Sequence, residues 1–498
     1  MTKSVFSGII ALLVIFIAGC QTQGSPQKDD TVLRKEVNTP SPYFVDIGAK
    51  SYTVETKASP NDPEDTTTFE ILYTVIPAKN QENKKEPIFL LQGGPAISGQ
   101  HYFGSPMIHG ILLDETAYFN KINANRDVLL MDYRGTGYSE PFIESFFYVN
   151  TMTDAEYGKL LTEKHEEVKE KGIKLSDYGA KNIAYDLNMI LKAENIDKID
   201  VYGFSFGTLV ASYFIQDYPK KINKVILDGV VTKDDMAFLA GDGVLNKLKI
   251  LAEKYDAKYG DGFKQRIEKV FESSLPQEAI EHVMLIQLPF LAYKNGAEDE
   301  AKAILDSIDS NTYKMAEKKE ENVEKSSEME KLKEKYGKYW FDENRIISFI
   351  TLFGVEAESY LRTDYSILDT YDFGPKTTQL AKEYQGSFNF VGESLDSTFG
   401  VLDLEQYRDD MYFDNTPLKS SVPILIFSGG EDFATPPGMI TKNLDLLKNH
   451  RHLLFPNEGH TFSRENKLAA EIVMAFLDNK GFTGVDTIQD EVFVLYEP

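Results

Sequence analysis

Three residues far apart in the chain, Ser205, Asp432 and His460, could together carry out acyl transfer. A serine hydroxyl is a poor nucleophile near neutral pH, so it needs a base beside it and a third group to orient that base. Ser205 lies in Gly203-Phe-Ser-Phe-Gly207, directly after the strand-like run 199–202. A G-x-S-x-G in that place reads as a nucleophile elbow, a sharp strand-to-helix turn that lifts the hydroxyl clear of a sheet. Asp432 follows the strand-like run 422–428, and His460 follows a further apolar run in the turn Glu458-Gly459-His460. Each polar residue would thus be delivered to one sheet edge. Glu431 competes for the place of the acid, but a one-residue shift points a side chain elsewhere, so only one of the two can serve. Of seven histidines, His460 alone occupies a Gly-His turn after a C-terminal strand. His450 and His452 flank or lie within that strand, whereas His101, His109, His165 and His282 all precede Asp432. Acyl transfer also needs preorganised N–H donors for the oxyanion. One is expected from Phe206, just after the serine, and the other from the glycine-rich loop Leu91-Gln-Gly-Gly-Pro95.

These residues need elements that hold them. Phe69, Ile71, Tyr73 and Val75 alternate with polar neighbours, the period of a strand with one buried face. The turn formers before them predict an opening antiparallel pair. Short continuous apolar runs at 87–91, 128–132, 199–203, 224–228, 422–428 and 452–455 are of the buried, parallel-sheet type. Between them, Ala180, Ile183, Ala184, Leu187, Ile190 and Leu191 form a helical stripe, with Ser176 as its expected N-cap. Alternating strands and helices predict an α/β fold with a mainly parallel sheet and helices on both faces. Residues 236–417 break the rhythm and read as a helical cap inserted between 37–235 and 418–498. Within that insertion, the Glu/Lys-rich run Met315–Lys338 reads as a solvated helix face.

Gln92-Gly-Gly-Pro95, Asp132-Tyr-Arg-Gly-Thr-Gly-Tyr-Ser139, the elbow, Leu227-Asp-Gly229, Asp432-Phe-Ala-Thr-Pro436 and Gly459-His460 occur in this order. Together they resemble the α/β-hydrolase serine peptidases that include proline iminopeptidase and the tripeptidyl aminopeptidases, over roughly 85–235 and 418–465. The resemblance implies Ser205 as nucleophile, Asp432 as orienter, His460 as base, Gly94 and Phe206 as oxyanion donors, and a bracing role for Arg134. The sequence departs from that pattern at Gln92, where His or Pro is usual, and at Ala96, where Gly is usual.

The formal charge of −25 and the lack of a basic cluster argue against nucleic-acid binding. No H-E-x-x-H, paired-histidine helix or phosphate-binding glycine loop is present, so neither metal nor cofactor is expected. Lys3, an apolar run 8–19 and Ile17-Ala-Gly-Cys20 resemble a bacterial lipoprotein signal peptide. That implies cleavage before Cys20, a lipid on its sulfur, a tether over 20–36 and a place at a membrane of the cell envelope. Cys20 is the only cysteine, which excludes disulfides within the chain. The expected function is a serine aminopeptidase that takes N-terminal proline or short peptides from substrates with a free N-terminus. Its ammonium-binding carboxylates would come from the cap, with Glu356 and Glu358 as candidates. An esterase with the same triad, or a non-catalytic lipid-anchored binding protein, is the alternative.

Overall fold

All six apolar runs become neighbouring strands at the centre of one ten-stranded sheet in a computed structural model of the chain. The structure describes residues 32–39, 42–95, 97–104, 119–143, 174–233, 241–260, 262–291, 296–314, 373–383, 416–432 and 434–488, with isolated positions between 163 and 172, Asp414, and the strand 494–495. The strands are β1 (Arg34–Val37), β2 (Lys50–Lys57), β3 (Thr68–Ile76), β4 (Ile88–Leu91), β5 (Val128–Met131), β6 (Ile199–Phe204), β7 (Ile222–Asp228), β8 (Ile424–Gly429), β9 (His450–Phe455) and β10 (Val494–Leu495). Their order is β1-β2-β3-β5-β4-β6-β7-β8-β9-β10. From β5 to β9 every pairing is parallel, and the antiparallel strands lie at the two margins.

The continuous apolar character of the central strands follows from burial on both faces. Phe89, Leu91, Leu129, Met131, Val201, Val225 and Leu227 point into one core. There they meet helices α2 (Ala180–Ala193) and α3 (Phe206–Asp217). The alternate residues Ile88, Leu90, Val128, Leu130, Tyr202, Phe204 and Ile226 point into the other. There they meet α1 (Gly99–Gly104) and α8 (Lys467–Asp478). Each such side chain contributes roughly 1.5–3 kcal/mol by leaving water, so the sheet is gripped from both sides.

Between β7 and β8 the longer described helices are α4 (Gly241–Tyr259), α5 (Phe263–Glu272), α6 (Ala297–Asp309) and α7 (Pro375–Glu383). They bury Leu248, Leu251, Phe263, Ile267, Leu305 and Leu380 in a core of their own. At the root of this segment Lys233 is buried against Asp414 (2.9 Å), Thr416 and Gln216, with its ammonium 5.3 Å from the centre of the Tyr213 ring. That cluster joins the chain leaving β7 to the chain returning toward β8.

Two local expectations change, and one strand is added. Arg34, Lys35 and Glu36 do not belong to the tether but to β1, paired with Val54, Thr53 and Tyr52. An edge strand with exposed charges lacks the alternation that marks an inner one. Ser176 does not cap α2, since it lies in a 3₁₀ turn at 175–178 and Gly179 is the N-cap. The side chain of Asn182 donates to the carbonyls of Ser176 and Asp177, which ties that turn to the helix. The two-residue β10, which pairs with Leu453 and Leu454, had no visible signal.

Candidate active site

Ser205 stands between β6 and α3 with φ 50° and ψ −121°, a backbone conformation that non-glycine residues rarely adopt and that costs about 1–3 kcal/mol. Its neighbours hold it there. The Ser205 N–H donates to the Asp228 carbonyl at 2.9 Å, and the Ser205 carbonyl accepts from both the N–H and the hydroxyl of Thr208. A Cβ at Gly207 would stand 2.2 Å from the Leu91 carbonyl oxygen, and one at Gly203 would stand 2.7 Å from that of Gly207. Both glycines of the elbow are therefore required by contact with backbone, and α3 begins flush against the end of β4. Phe206 opens α3, so its N–H has no intrahelical acceptor and lies at the positive end of the helix dipole.

Asp432 and His460 meet directly: His460 Nδ1 lies 2.9 Å from Asp432 Oδ2. The carboxylate is buried and saturated with donors. Oδ1 accepts from the N–H groups of Ala434 (3.0 Å) and Thr435 (2.8 Å), and Oδ2 accepts from the Thr435 hydroxyl at 2.7 Å. These bonds fix the carboxylate plane and so aim the imidazole. The ring packs on Gly229, where a Cβ would lie 3.0 Å from Cε1. Ser205 and His460 therefore converge on one place, the end of β7 at Asp228 and Gly229. The rival carboxylate, Glu431, pairs instead with Lys254 of α4.

The glycine loop after β4 leans on Ser205, since a Cβ at Gly93 would lie 3.1 Å from that of Ser205. The Gly93 N–H is engaged by the Tyr102 hydroxyl, and Gly94 has the glycine-favoured φ of 126°. Gly94, Ser205 and His460 are half-exposed, whereas Gly93, Phe204, Phe206 and Asp432 are buried. The loop is braced from beneath by the Asp-Tyr-Arg motif. Asp132 accepts from the Ser98 hydroxyl (2.6 Å), the Gln100 N–H (3.0 Å) and the Tyr138 N–H (2.9 Å). Burial nevertheless pushes its carboxyl up to about 6. The Tyr133 hydroxyl donates to the Gln92 carbonyl at 2.9 Å. Arg134 makes a two-pronged, fully buried pair with Asp186 and also donates to the carbonyls of Lys57, Ala58 and Asp177. Gln92 is structural as well: its amide donates to the carbonyls of Ile97 (3.2 Å) and Met131 (3.1 Å), closing the loop.

Other residues of the site carry no local sequence signal. Thr435, within the Asp432–Pro436 motif, touches both Asp432 and His460. On α4, Lys247 and Lys254 are two helical turns apart and share a face. Burial pushes the half-buried Lys247 ammonium down to about 8, opposed by the charge of Asp432. The other histidines have separate duties or lie elsewhere. His101 and His452 are buried, and burial lowers each to about 4; His452 Nε2 meets Ser428 Oγ at 2.9 Å, and His450 Nδ1 lies 2.5 Å from the Leu447 carbonyl. His282 is half-buried in the helical segment at 282–287. Cys20, Ala96, His109, His165, Glu356, Glu358 and the run Met315–Lys338 lie outside the described residues. Among the described residues no group of three or more His, Cys, Asp or Glu is arranged to hold a metal ion, and no helix is long and apolar enough to cross a membrane.

A parallel-centred sheet with a serine on a strained strand-to-helix turn, and a carboxylate–imidazole pair delivered from two later strands, is the architecture of the α/β hydrolases. The chain belongs to the alpha/beta hydrolase fold family, which it matches over residues 86–466. It is 37% identical over 57 residues to serine protease Hip1 of Mycobacterium tuberculosis, a match covering 11% of each chain. It is 24% identical over 166 residues to YuaR of Escherichia coli, covering 33% of this chain and 31% of YuaR. The alignments thus span under a third of either relative. Similar solved structures include an esterase from Exiguobacterium antarcticum (14% identity, TM-score 0.34, 82% of this chain and 96% of that one) and an alpha/beta hydrolase fold protein from Chitinophaga pinensis (12%, 0.36, 91% and 99%).

Proposed function

We propose that the chain is a serine peptidase that releases an N-terminal proline or a short peptide from substrates with a free amino terminus. The observation that carries the chemistry is the Asp432–His460 contact at 2.9 Å, seated beside the strained Ser205 turn at the end of β7. Ser205 Oγ attacks the scissile carbonyl carbon while His460 takes the hydroxyl proton, and Asp432 stabilises the resulting imidazolium. The oxyanion is received by the N–H groups of Phe206 and Gly94. The imidazolium then protonates the leaving amine as the C–N bond breaks. Water attacks the acyl-serine, its proton passes to His460, and the return of that proton to Ser205 restores the resting state. The ordered peptidase-type motifs and the short match to a serine protease support the peptidase reading.

A panel of prolyl, aminoacyl and tripeptidyl nitroanilides beside nitrophenyl esters tests it. Turnover of free-amino peptides, abolished by N-terminal acetylation, is expected; ester turnover without any peptide turnover would make the enzyme an esterase. A fluorophosphonate probe should label Ser205, and a folded protein that stays unlabelled would be a binding protein. The anchor is proposed separately, as a lipid on Cys20 that holds the protein at a membrane of the cell envelope. Cys20→Ser should then release the protein into the soluble fraction.

A further inference from the structure

A second buried carboxylate stands at the same sheet edge and has no part in the mechanism above. Asp228 ends β7, wholly shielded from solvent. Its backbone carbonyl receives the Ser205 N–H at 2.9 Å, which pins the nucleophile turn. Its side chain reaches the loop that carries His460: Oδ2 accepts from the Ser463 N–H at 3.0 Å and from the Ser463 hydroxyl, which also meets the Tyr202 hydroxyl. The next residue, Gly229, is the floor under the His460 ring. One residue therefore touches both halves of the catalytic apparatus. Its other oxygen, Oδ1, is buried without a hydrogen-bond partner among the described residues. An unpaired buried carboxylate oxygen is costly, and an anchor for Ser463 alone needs no negative charge. The charge is thus the feature to be explained.

The charged and titratable groups facing Asp228 are His460 and Arg464 from the loop after β9 and Tyr102 from α1. Burial pushes the carboxyl up to about 6, while the two Ser463 hydrogen bonds and the Arg464 guanidinium pull the other way.

We propose that Asp228 is a positioning residue that couples base to nucleophile. It holds the Ser205 turn by its carbonyl and the His460 loop by its carboxylate, and its charge favours the imidazolium that acyl transfer creates. The inference rests on the serine-hydrolase reading above, but not on the choice of peptide as substrate.

The test measures the inactivation rate of the full chain by a fluorophosphonate from about pH 5 to about pH 9, where a histidine base titrates. In that reaction the Ser205 Oγ–P bond forms, P–F breaks, fluoride leaves and His460 takes the hydroxyl proton. Asp228→Asn keeps the shape and an acceptor for Ser463 but removes the charge. Its melting temperature should stay near that of the parent, while the acid limb of the rate profile moves to lower pH by about half a unit or more. Ser463→Ala cuts the hydroxyl link and keeps the charge, so its rate should fall several-fold with the limb unmoved. An acid limb of Asp228→Asn that coincides with the parent's overturns the proposal. If that variant does not fold, an unchanged rate in Ser463→Ala overturns it instead. A parent chain that is not labelled at all would refute the hydrolase reading, an outcome separable from both.

Discussion

Gly229→Ala probes how the base is seated. The position has φ +68°, so a side chain there costs about 1–2 kcal/mol of backbone strain. The new methyl would lie 3.0 Å from His460 Cε1, 3.1 Å from Nδ1 and 3.1 Å from the Thr435 hydroxyl. Carbon atoms prefer about 3.5–4.0 Å, so the ring must retreat by roughly half an ångström. That retreat falls on the 2.9 Å contact with Asp432 and on the Thr435 bond that steadies it. Since a misplacement of about 1 Å can cost 10²-fold, a loss of about 10- to 100-fold in kcat is expected, with KM little changed. The strain should lower the melting temperature by only a few degrees. Fluorophosphonate inactivation rates and thermal melts, taken on the same preparations, separate the two effects. Gly229→Asn sharpens the comparison. Asparagine tolerates left-handed backbone, so it should recover stability relative to alanine, yet it carries the same Cβ and should stay slow. Parent-like turnover in either variant would refute this seating of the imidazole.

Three further outcomes are expected. Asp432→Asn should lower kcat about 10⁴-fold by removing the group that orients His460, whereas Glu431→Gln, which only loosens the pair with Lys254, should stay within a few-fold; the reverse ranking in steady-state kinetics would move the acid to Glu431. Lys233→Met should cost about 3–5 kcal/mol in denaturant unfolding, because it leaves Asp414 buried without its cation at the root of the inserted helices. Between about pH 4.5 and 6.5 two sets of groups oppose each other, three carboxyls against two imidazoles, so stability should fall only weakly as pH rises. Burial raises Asp132, Asp200 and Asp228 to about 6, so the folded state binds protons the unfolded state lacks and stability is lost as pH rises through this window. Burial lowers His101 and His452 to about 4, which has the opposite sign. His452→Gln removes one opposing group, and its melting temperature should therefore rise on acidification; a fall would contradict the balance.

What the sequence disclosed depended on whether the physics is local. The central strands were legible because burial on both faces demands unbroken apolar runs, and the elbow because a turn that tight excludes side chains at Gly203 and Gly207. Asp432 and His460, singled out by position after strands, are the two residues the structure joins. β1 was hidden because an exposed edge wants Arg, Lys and Glu, which also suit a tether. The bond between Lys254 and Glu431 spans 177 positions and leaves no local trace. Gln92 stood out as a departure, but its purpose depends on the carbonyls of Ile97 and Met131, which only the folded loop brings to it. Asp228 was visible in Leu227-Asp-Gly229, yet nothing nearby announces Ser463 as its partner.

The parallel register of β7 with β8, Val225 beside Ile424, has a consequence for the birth of the protein. Synthesis runs from the N-terminus, so the elbow and β7 exist long before β8 does. Until Ile424 is made, β7 presents a bare edge of the kind that recruits foreign strands. The serine turn meanwhile has neither Asp432 nor His460 beside it. Pairing across so long an interval is slow to find, because the intervening chain must be closed into a loop first. Ser205, Asp432 and His460 therefore come together only when β8 and β9 dock, and a chain interrupted before them would lack two of the three and keep a bare strand edge.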